Sequence, residues 1–139
     1  MRDLTVKDVE FVAFSLAQEL LAFNEPIPDF SSRYPNRLES SLAAPFLSFG
    51  GKSLYPTLIS KAAILFYLMI KNHPFQNGNK RIATTTLLVF LLRNNKWLEM
   101  DPENLYQFTV WIASSPPKEK DSVVKAVESF LQKYLVETH

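Results

Sequence analysis

Apolar residues recur every three or four positions along most of the chain, which is the spacing of helices that bury one face. The first stripe begins near the N-terminus, where Thr5 and Asp8 have the spacing of a capping box, and it predicts a helix that runs to about Phe23. Its members are Val9, Val12, Leu16, Leu20 and Phe23. Because the chain has only three glycines, the pattern predicts an all-α fold.

The same spacing, together with residues that end helices, predicts five more helices. They are a short helix in residues 37–44 that Pro45 ends, a long central helix from Pro56 to His73, a fourth that Asn94 and Asn95 end, a fifth from about Pro102, and a sixth from about Asp121 to Val136. Residues 24–36 are rich in Pro, Ser, Asn and Asp and predict a connector. We therefore expect a compact bundle of about six helices.

One segment breaks the helical pattern. Residues 46–55 read FLSFGGKSLY, and two glycines interrupt their apolar, partly alternating run. This pattern suits an irregular loop or a small hairpin before the central helix. It is the only segment of the chain for which the sequence predicts extended structure.

Composition and charge exclude several classes of protein. The 139 residues, 47% of them hydrophobic, suit one domain spanning 1–139. The 15 basic and 14 acidic side chains nearly cancel, so no overall field favours nucleic acid or anionic lipid. There is no cysteine, the N-terminus is too charged for a secretory signal, and residues 62–70, the most apolar run, are too few to span a membrane. We expect a cytoplasmic protein that binds neither nucleic acid nor membrane.

The stretch KNHPFQNGNKRIATTT, residues 71–86, gathers residues that are scarce elsewhere in the chain. Pro74 disfavours helical conformation in the residue before it, so it should push His73 out of the central helix, which ends at this histidine. Phe75 is expected to anchor the following loop in the core. The loop therefore displays an imidazole at the end of one helix and directly before the start of the next.

The next helix is predicted to begin with an anion site. Asn77 or Asn79 can cap it, and its first-turn amides, from about Gly78 to Arg81, have no acceptor within the helix. These amides and the helix dipole favour binding of a phosphate. Gly78 allows the phosphate to approach the backbone closely, and the side chains of Lys80 and Arg81 can contact it.

A histidine beside bound phosphate can take the proton from an attacking hydroxyl, while amides and cations stabilise the charge on the transferred group. A lone histidine at a helix end, or a Lys-Arg pair on a first turn, more often has no such role. Their combination in one uninterrupted nine-residue run favours phosphoryl or nucleotidyl transfer.

The run HPFQNGNKR resembles the signature of the Fic/Doc family, His-Pro-Phe-x-Asp/Glu-Gly-Asn-x-Arg. The stretches LESSLAAP, FGGKSLYPTL and FLLRNNKW resemble the Doc (death-on-curing) branch, so the likeness covers about residues 38–97. The resemblance implies an all-helical Fic fold in which the motif joins two central helices and a flap precedes them. It also implies transfer from ATP, with Mg²⁺, to a hydroxyl group of a protein.

The resemblance also implies roles for individual residues. By matching positions, His73 would be the general base, and Asn79 and Arg81 would hold the nucleotide phosphates together with the Gly78 backbone. The flap would align a target segment by strand-like pairing. Its expected docking residues are Phe49, Gly50, Gly51 and Lys52.

Two positions of the chain bear on which group is transferred, and a third bears on Mg²⁺ binding. Lys80 stands where most AMP-transferring relatives have a second glycine, and the Doc branch also has lysine there. The resemblance to Doc therefore implies phosphate transfer to a translation elongation factor of the Tu type. Thr84 stands where AMP-transferring relatives often have a further arginine, which also favours phosphate transfer. Asn77 occupies the position of the acidic Mg²⁺ ligand but brings no negative charge. Doc-type toxins usually rely on a separate antitoxin, so such a partner is expected.

Three alternatives remain open. The same fold could transfer AMP, or it could bind nucleotide without turnover because of Asn77. The third is a helical interaction module that docks a partner through the aromatic-rich residues 105–112, although such a stripe usually faces the core.

Overall fold

The computed structural model describes residues 2–20 and 26–138. This part of the chain is predominantly helical and forms a bundle, as predicted, and none of its helices is long and apolar enough to cross a membrane. Short 3₁₀ turns lie at Phe30–Ser32, Ala44–Phe46 and Pro117–Glu119. The helices are α1, made of the consecutive parts Val6–Asp8, Val9–Ala13 and Phe14–Leu20; α2, Pro35–Ala43; α3, Leu58–Lys71; α4, Asn79–Arg93; α5, Pro102–Ser114; and α6, Lys120–Tyr134.

The N-terminus of α1 is capped as the sequence predicts. The Asp8 amide donates a hydrogen bond to the Thr5 hydroxyl at 3.2 Å, and the Thr5 amide donates one to the Asp8 carboxylate at 2.9 Å. The two side chains thus satisfy amides that have no acceptor within the helix. The predicted end of this helix near Phe23 lies outside the described residues.

The buried face of α1 differs from the predicted stripe. Residues Val9–Ala13 form a π-helical turn, which is wider than an α-helical turn and changes the face that the later residues present. Val12 is consequently 39% exposed, and the core contains Ala13 and Ala17 instead.

Helices α3 and α4 form the centre of the bundle. Helix α3 is buried on most sides and contacts α2, α4, α5 and α6, as expected for the central helix. It begins at Leu58 and not at Pro56, because Thr57 caps it and exchanges hydrogen bonds with Ser60. The apolar core runs without interruption from α1 to α6 and includes Phe14, Leu38, Phe66, Phe90, Ile112 and Leu131.

Most of the other helix boundaries follow local signals. Helix α2 begins at Pro35, slightly before the predicted start, because proline is well suited to the first helical position. After α4, Asn95 has a φ of +64°, the left-handed conformation that asparagine tolerates, and the Asp101 side chain caps α5. Helix α6 ends at Tyr134, so the prediction that it includes Val136 is wrong.

Residues 46–55, which we call the flap, contain the smaller of two antiparallel strand pairs. Strand β1, Ser48–Phe49, pairs with β2, Lys52–Ser53, across a two-residue turn. Gly50 and Gly51 have φ values of +60° and +78°, as a tight hairpin turn of this hand requires. Of the two predicted forms of this segment, the structure shows the hairpin.

A second strand pair was not predicted from the sequence. Strand β3, Lys96–Leu98, follows α4 and pairs with β4, Leu135–Glu137, which follows α6. The expectation that only residues 46–55 are extended is therefore wrong. Each strand is too short to show an alternating pattern, and only the packing of α4 and α6 against α3 brings the two together.

The aromatic-rich residues 105–112 mostly face the bundle. Leu105 and Ile112 are buried, and the Phe108 ring stacks on Phe130 of α6 with the ring centroids 3.9 Å apart. Trp111 is 46% exposed at the edge of this face. The stripe therefore packs α5 against α3 and α4 and, through Phe108, against α6, as its helical spacing favours.

Candidate active site

His73 lies in the loop that joins α3 to α4. Helix α3 ends at Lys71 with Asn72 as its cap, so the helix stops before the histidine, as predicted. His73 has a φ of +47°, in the left-handed region that is unfavourable for a residue with a Cβ atom, and it is exposed. A strained backbone at an exposed titratable residue points to a functional site.

Helix α2 holds the backbone of this loop in place. The Tyr34 amide donates a hydrogen bond to the Pro74 carbonyl at 2.8 Å, and Arg37 Nη1 donates one to the His73 carbonyl at 3.3 Å. The Arg37 guanidinium also lies 4.3 Å from the centroid of the Tyr34 ring. Sequence reasoning missed both residues, because nothing local signals contacts between positions 36 or more residues apart.

Asn79 fixes the loop from the α4 side. Its Oδ1 accepts a hydrogen bond from the Phe75 amide at 3.0 Å, and its Nδ2 donates one to the Phe75 carbonyl at 2.9 Å. The same Nδ2 lies 3.4 Å from His73 Nδ1. Since Asn79 is only 8% exposed, its amide acts in this structure as a clamp on the loop and orients the imidazole. Its predicted contact with phosphate stays a prediction.

Gly78, and neither Asn77 nor Asn79, is the cap of α4. Gly78 has a φ of +73°, and the Asn77 side chain accepts a hydrogen bond from the Gly78 amide at 2.8 Å. A Cβ atom at position 78 would lie 2.9 Å from the Pro26 carbonyl oxygen and 2.7 Å from Ile27 Cδ1. In this structure, the absence of a side chain at Gly78 therefore allows residues 26 and 27 to pack closely against its backbone.

Phe75 anchors the loop in the core, as expected. Its side chain is almost fully buried. Its ring centroid lies 5.6 Å from that of Phe14 in α1 and 5.8 Å from that of Phe30. The loop is thus fixed from beneath by packing and from both sides by hydrogen bonds.

Lys71 connects the start of the loop to α5. Its Nζ donates hydrogen bonds to the carbonyl oxygens of Ala113 at 3.2 Å and Ser115 at 2.6 Å. These carbonyls lie at the C-terminal end of α5, where the helix dipole favours a cation. Because Ala113 also lines the pocket beside His73, Lys71 positions one wall of that pocket.

A pocket of about 330 Å³ opens beside His73 at the N-terminus of α4. No carboxylate is among the residues that line it, whereas Lys80 brings a positive charge. Arg81 is not part of this lining, and its Nη2 donates a hydrogen bond to the Ala17 carbonyl in α1. The structure thus brings together all the predicted phosphate-binding residues except Arg81. The lining residues are Ile70, His73, Gln76, Asn77, Gly78, Asn79, Lys80 and Ala113.

The donor atoms in this pocket do not fit an Mg²⁺ ion held by the protein. Protein sites for Mg²⁺ generally provide one or two carboxylates, and the only side chain here at the position of a ligand is Asn77, whose neutral Oδ1 already accepts the Gly78 amide. In the described part of the chain, no cluster of three or more His, Cys, Asp or Glu could hold a metal ion. An ion that entered with ATP would depend mainly on phosphate and water ligands.

The predicted docking residues of the flap are exposed and are not part of the pocket lining. Phe49 is 81% exposed, and Gly50, Gly51 and Lys52 are also exposed. The flap precedes the N-terminal end of α3, whereas His73 follows its C-terminal end, and a helix of 14 residues is about 21 Å long. None of the four flap residues lines the pocket beside His73, and their role in docking stays a prediction.

Comparison with known proteins finds one family that covers both the flap and the histidine loop. A sequence model described as the Fic/DOC family matches residues 4–91, well over half of the chain. The chain is also similar to Toxin Doc of Mycolicibacterium smegmatis, with 36% identity over 64 residues, which are 46% of this chain and 49% of that protein. The chain thus matches about half the length of this relative. No solved structure matches it.

Proposed function

The chain belongs to the Fic/DOC family, and we propose that it is a Doc-type toxin that transfers phosphate from ATP to a hydroxyl group of a protein. The observation that carries this proposal is the position of His73 at a pocket lined by Lys80 and by the N-terminus of α4, whose dipole favours an anion. The pocket volume, about 330 Å³, is in the range of small-molecule sites. From the family resemblance, the proposed acceptor is a translation elongation factor of the Tu type, whose modification would arrest translation.

The proposed reaction is a direct displacement at phosphorus. The acceptor hydroxyl oxygen attacks the terminal phosphorus of ATP, the bond from that phosphorus to the bridging oxygen breaks, and ADP leaves with the bridging oxygen. His73 accepts the proton of the hydroxyl. The first-turn amides of α4 and the Lys80 ammonium stabilise the negative charge on the phosphate oxygens.

The contact between Asn79 and His73 bears on which imidazole nitrogen is the base. Two hydrogen bonds to Phe75 fix the Asn79 amide with Nδ2 toward the imidazole. Because Nδ2 is only a donor, it favours the tautomer in which His73 Nδ1 carries no hydrogen. The separation of 3.4 Å is long for a hydrogen bond, so an incoming hydroxyl would displace this contact and deliver its proton to Nδ1.

Intact mass spectrometry tests the proposal. The protein is incubated with ATP, Mg²⁺ and purified elongation factor Tu, and we expect a phosphate-sized mass increment on the factor. His73→Ala should abolish it, whereas Lys118→Met, a change of an exposed lysine that does not line this pocket, should leave it intact. An AMP-sized increment would show adenylyl transfer instead. Transfer at full rate by His73→Ala would overturn the assignment of the base.

One observation supports a second candidate, a nucleotide-binding domain without turnover. The pocket contains no carboxylate, and Asn77 stands where the family signature has an acid. This candidate predicts that ATP binds, as measured by calorimetry, and that no mass increment forms on elongation factor Tu, even with Asn77→Asp. A phosphate-sized increment would rule it out.

The proposed function also implies a cellular setting. ATP and elongation factor Tu are found in the cytoplasm, and a Doc-type toxin would be restrained there by a separate antitoxin. Induced expression of this chain alone in a bacterium should therefore arrest growth, and expression of His73→Ala at the same level should not. Equal growth of the two strains would contradict the toxin assignment.

A further inference from the structure

Lys61 is a buried cation outside the candidate active site. It lies near the start of α3, is only 7% exposed, and its Nζ lies 5.0 Å from the centroid of the Phe46 ring. Burying an ammonium is unfavourable unless protein groups replace its hydrogen bonds to water. The groups that Lys61 contacts therefore indicate what its charge does.

The Lys61 ammonium binds three oxygen atoms on both sides of the flap hairpin. Its Nζ donates to the Pro45 carbonyl at 3.0 Å, to the Tyr55 carbonyl at 2.5 Å, and to the Ser53 hydroxyl at 3.3 Å. Pro45 directly precedes the flap, whereas Ser53 and Tyr55 belong to its second arm. Three acceptors match the three donors of an ammonium. None of them is a carboxylate, so the charge is held by neutral groups alone.

The flap has little else to fix its orientation. Residues 46–54 are all exposed, and the hairpin itself contains two residue pairs and a hydrogen bond of 3.0 Å from the Leu54 amide to the Leu47 carbonyl. An isolated hairpin of this kind is marginally stable. Apart from the contact of the Phe46 ring with Phe90, the hydrogen bonds and cation–π contacts that helix side chains make to residues 46–55, within the described ranges, are those of Lys61.

We propose that Lys61 is a positioning residue: its ammonium fixes the flap to the helical core in the orientation that a target protein requires. This inference rests on the proposed function, in which the flap pairs with a segment of the protein acceptor. A methionine at this position would fill similar space without the cost of a buried charge, but it could not bind the two arms of the hairpin. Loss of the ammonium should therefore impair use of the protein acceptor and leave ATP binding unchanged.

The first test follows the flap itself. Amide hydrogen exchange is compared in wild type, Lys61→Met and Lys118→Met, the last being a change of an exposed lysine in the 3₁₀ turn Pro117–Glu119, outside residues 46–55. We expect exchange at the Leu54 amide to be at least tenfold faster in Lys61→Met, with core amides of α4 and the Lys118→Met variant unchanged. Equal exchange at Leu54 in all three proteins would overturn the inference, whatever their activity.

The second test follows the reaction with ATP and elongation factor Tu. For Lys61→Met we expect KM for the protein acceptor to rise tenfold or more, kcat to stay within twofold, and the Kd of ATP to be unchanged. A fall in kcat with an unchanged KM, or weaker ATP binding, would indicate general disruption and overturn the positioning role. If the wild type transfers no phosphate, the proposed function and the role of Lys61 in transfer are both wrong. The hydrogen-exchange result would still decide whether Lys61 fixes the flap.

Chemical rescue shows whether the ammonium itself is responsible. Because the chain has no cysteine, Lys61→Cys can be aminoethylated in the unfolded state at that position alone and then refolded. Aminoethylation restores an ammonium at nearly the length of lysine. It should return the exchange rate at Leu54 and KM to wild-type values, whereas a neutral alkyl group of similar size should not. Equal rescue by both groups would contradict a role for the charge.

Discussion

Replacing Gly78 by alanine tests whether residues 26 and 27 pack directly on the motif. Gly78 and Gly51 have similar φ values, +73° and +78°, so alanine at either position is forced into the left-handed region. That conformation costs about 1–2 kcal/mol. Alanine also makes the unfolded chain less flexible than glycine does, which offsets about 0.4–1 kcal/mol of this cost. The Gly51→Ala variant should therefore lose roughly 1 kcal/mol of unfolding free energy.

Only the Gly78→Ala variant meets a steric obstacle as well. Its Cβ atom would lie 2.7 Å from Ile27 Cδ1 and 2.9 Å from the Pro26 carbonyl oxygen, whereas nothing lies within 4 Å of a Cβ at Gly51. The Ile27 side chain can rotate away, but the Pro26 oxygen belongs to the backbone. Such overpacking costs typically about 1–3 kcal/mol. The total loss expected for Gly78→Ala is therefore about 2–4 kcal/mol.

Thermal unfolding followed by circular dichroism measures the difference between the two variants. For a chain of 139 residues the unfolding entropy is about 0.3 kcal/mol/K, so each kcal/mol lowers Tm by about 3 °C. We expect Tm to fall by about 6–12 °C in Gly78→Ala and by about 3 °C in Gly51→Ala. If both variants shift Tm equally, within about 2 °C, residues 26 and 27 do not crowd Gly78 in solution.

Three further changes test the loop, the first helix and the metal position. Asn79→Ala leaves the buried amide and carbonyl of Phe75 without their partner and should lower the unfolding free energy by about 2–3 kcal/mol in denaturant titrations; an unchanged midpoint would contradict the clamp. The Thr5 amide, the Thr5 hydroxyl and the Arg93 guanidinium hold the pKa of Asp8 below its ordinary value of 3.8. The stability that this carboxylate provides should therefore be present above pH 3.8 and be lost as the pH falls through its lower folded pKa. Wild type should consequently lose more stability on acidification than Asp8→Asn. Equal losses of stability in the two proteins would refute this expectation. Asn77→Asp supplies a carboxylate and should raise Mg²⁺-dependent transfer; unchanged or lower transfer in a matched assay would refute the assignment of position 77.

Local signals in the sequence predicted the features that depend on neighbouring residues. The capping box of Thr5 and Asp8, the cap at Asp101 and the left-handed Asn95 each involve side chains and amides within three positions. The flap hairpin belongs to the same class, because two consecutive glycines favour its turn. Such features do not require knowledge of the packing of the rest of the chain.

Features that depend on the packing of distant segments were missed. Strands β3 and β4 meet only because α4 and α6 are packed in one bundle. Lys61 would ordinarily be expected on a solvated face, and its ammonium is buried here because the carbonyl oxygens of Pro45 and Tyr55 accept its hydrogen bonds. For Arg81, the resemblance predicts contact with phosphate, whereas its guanidinium here binds the Ala17 carbonyl in α1. That role of Arg81 stays a prediction.

The conformation of the candidate base depends on segments far from the motif. The left-handed backbone of His73 is unfavourable by itself, and Arg37 and Tyr34 of the α2 region stabilise it through the carbonyls of His73 and Pro74. Asn79 holds the other side of the loop through Phe75. The nine-residue run therefore provides the chemical groups of the site, but their geometry requires α2. A loss of activity in variants of Arg37 would thus reflect a displaced imidazole, even though Arg37 is not among the residues that line the pocket.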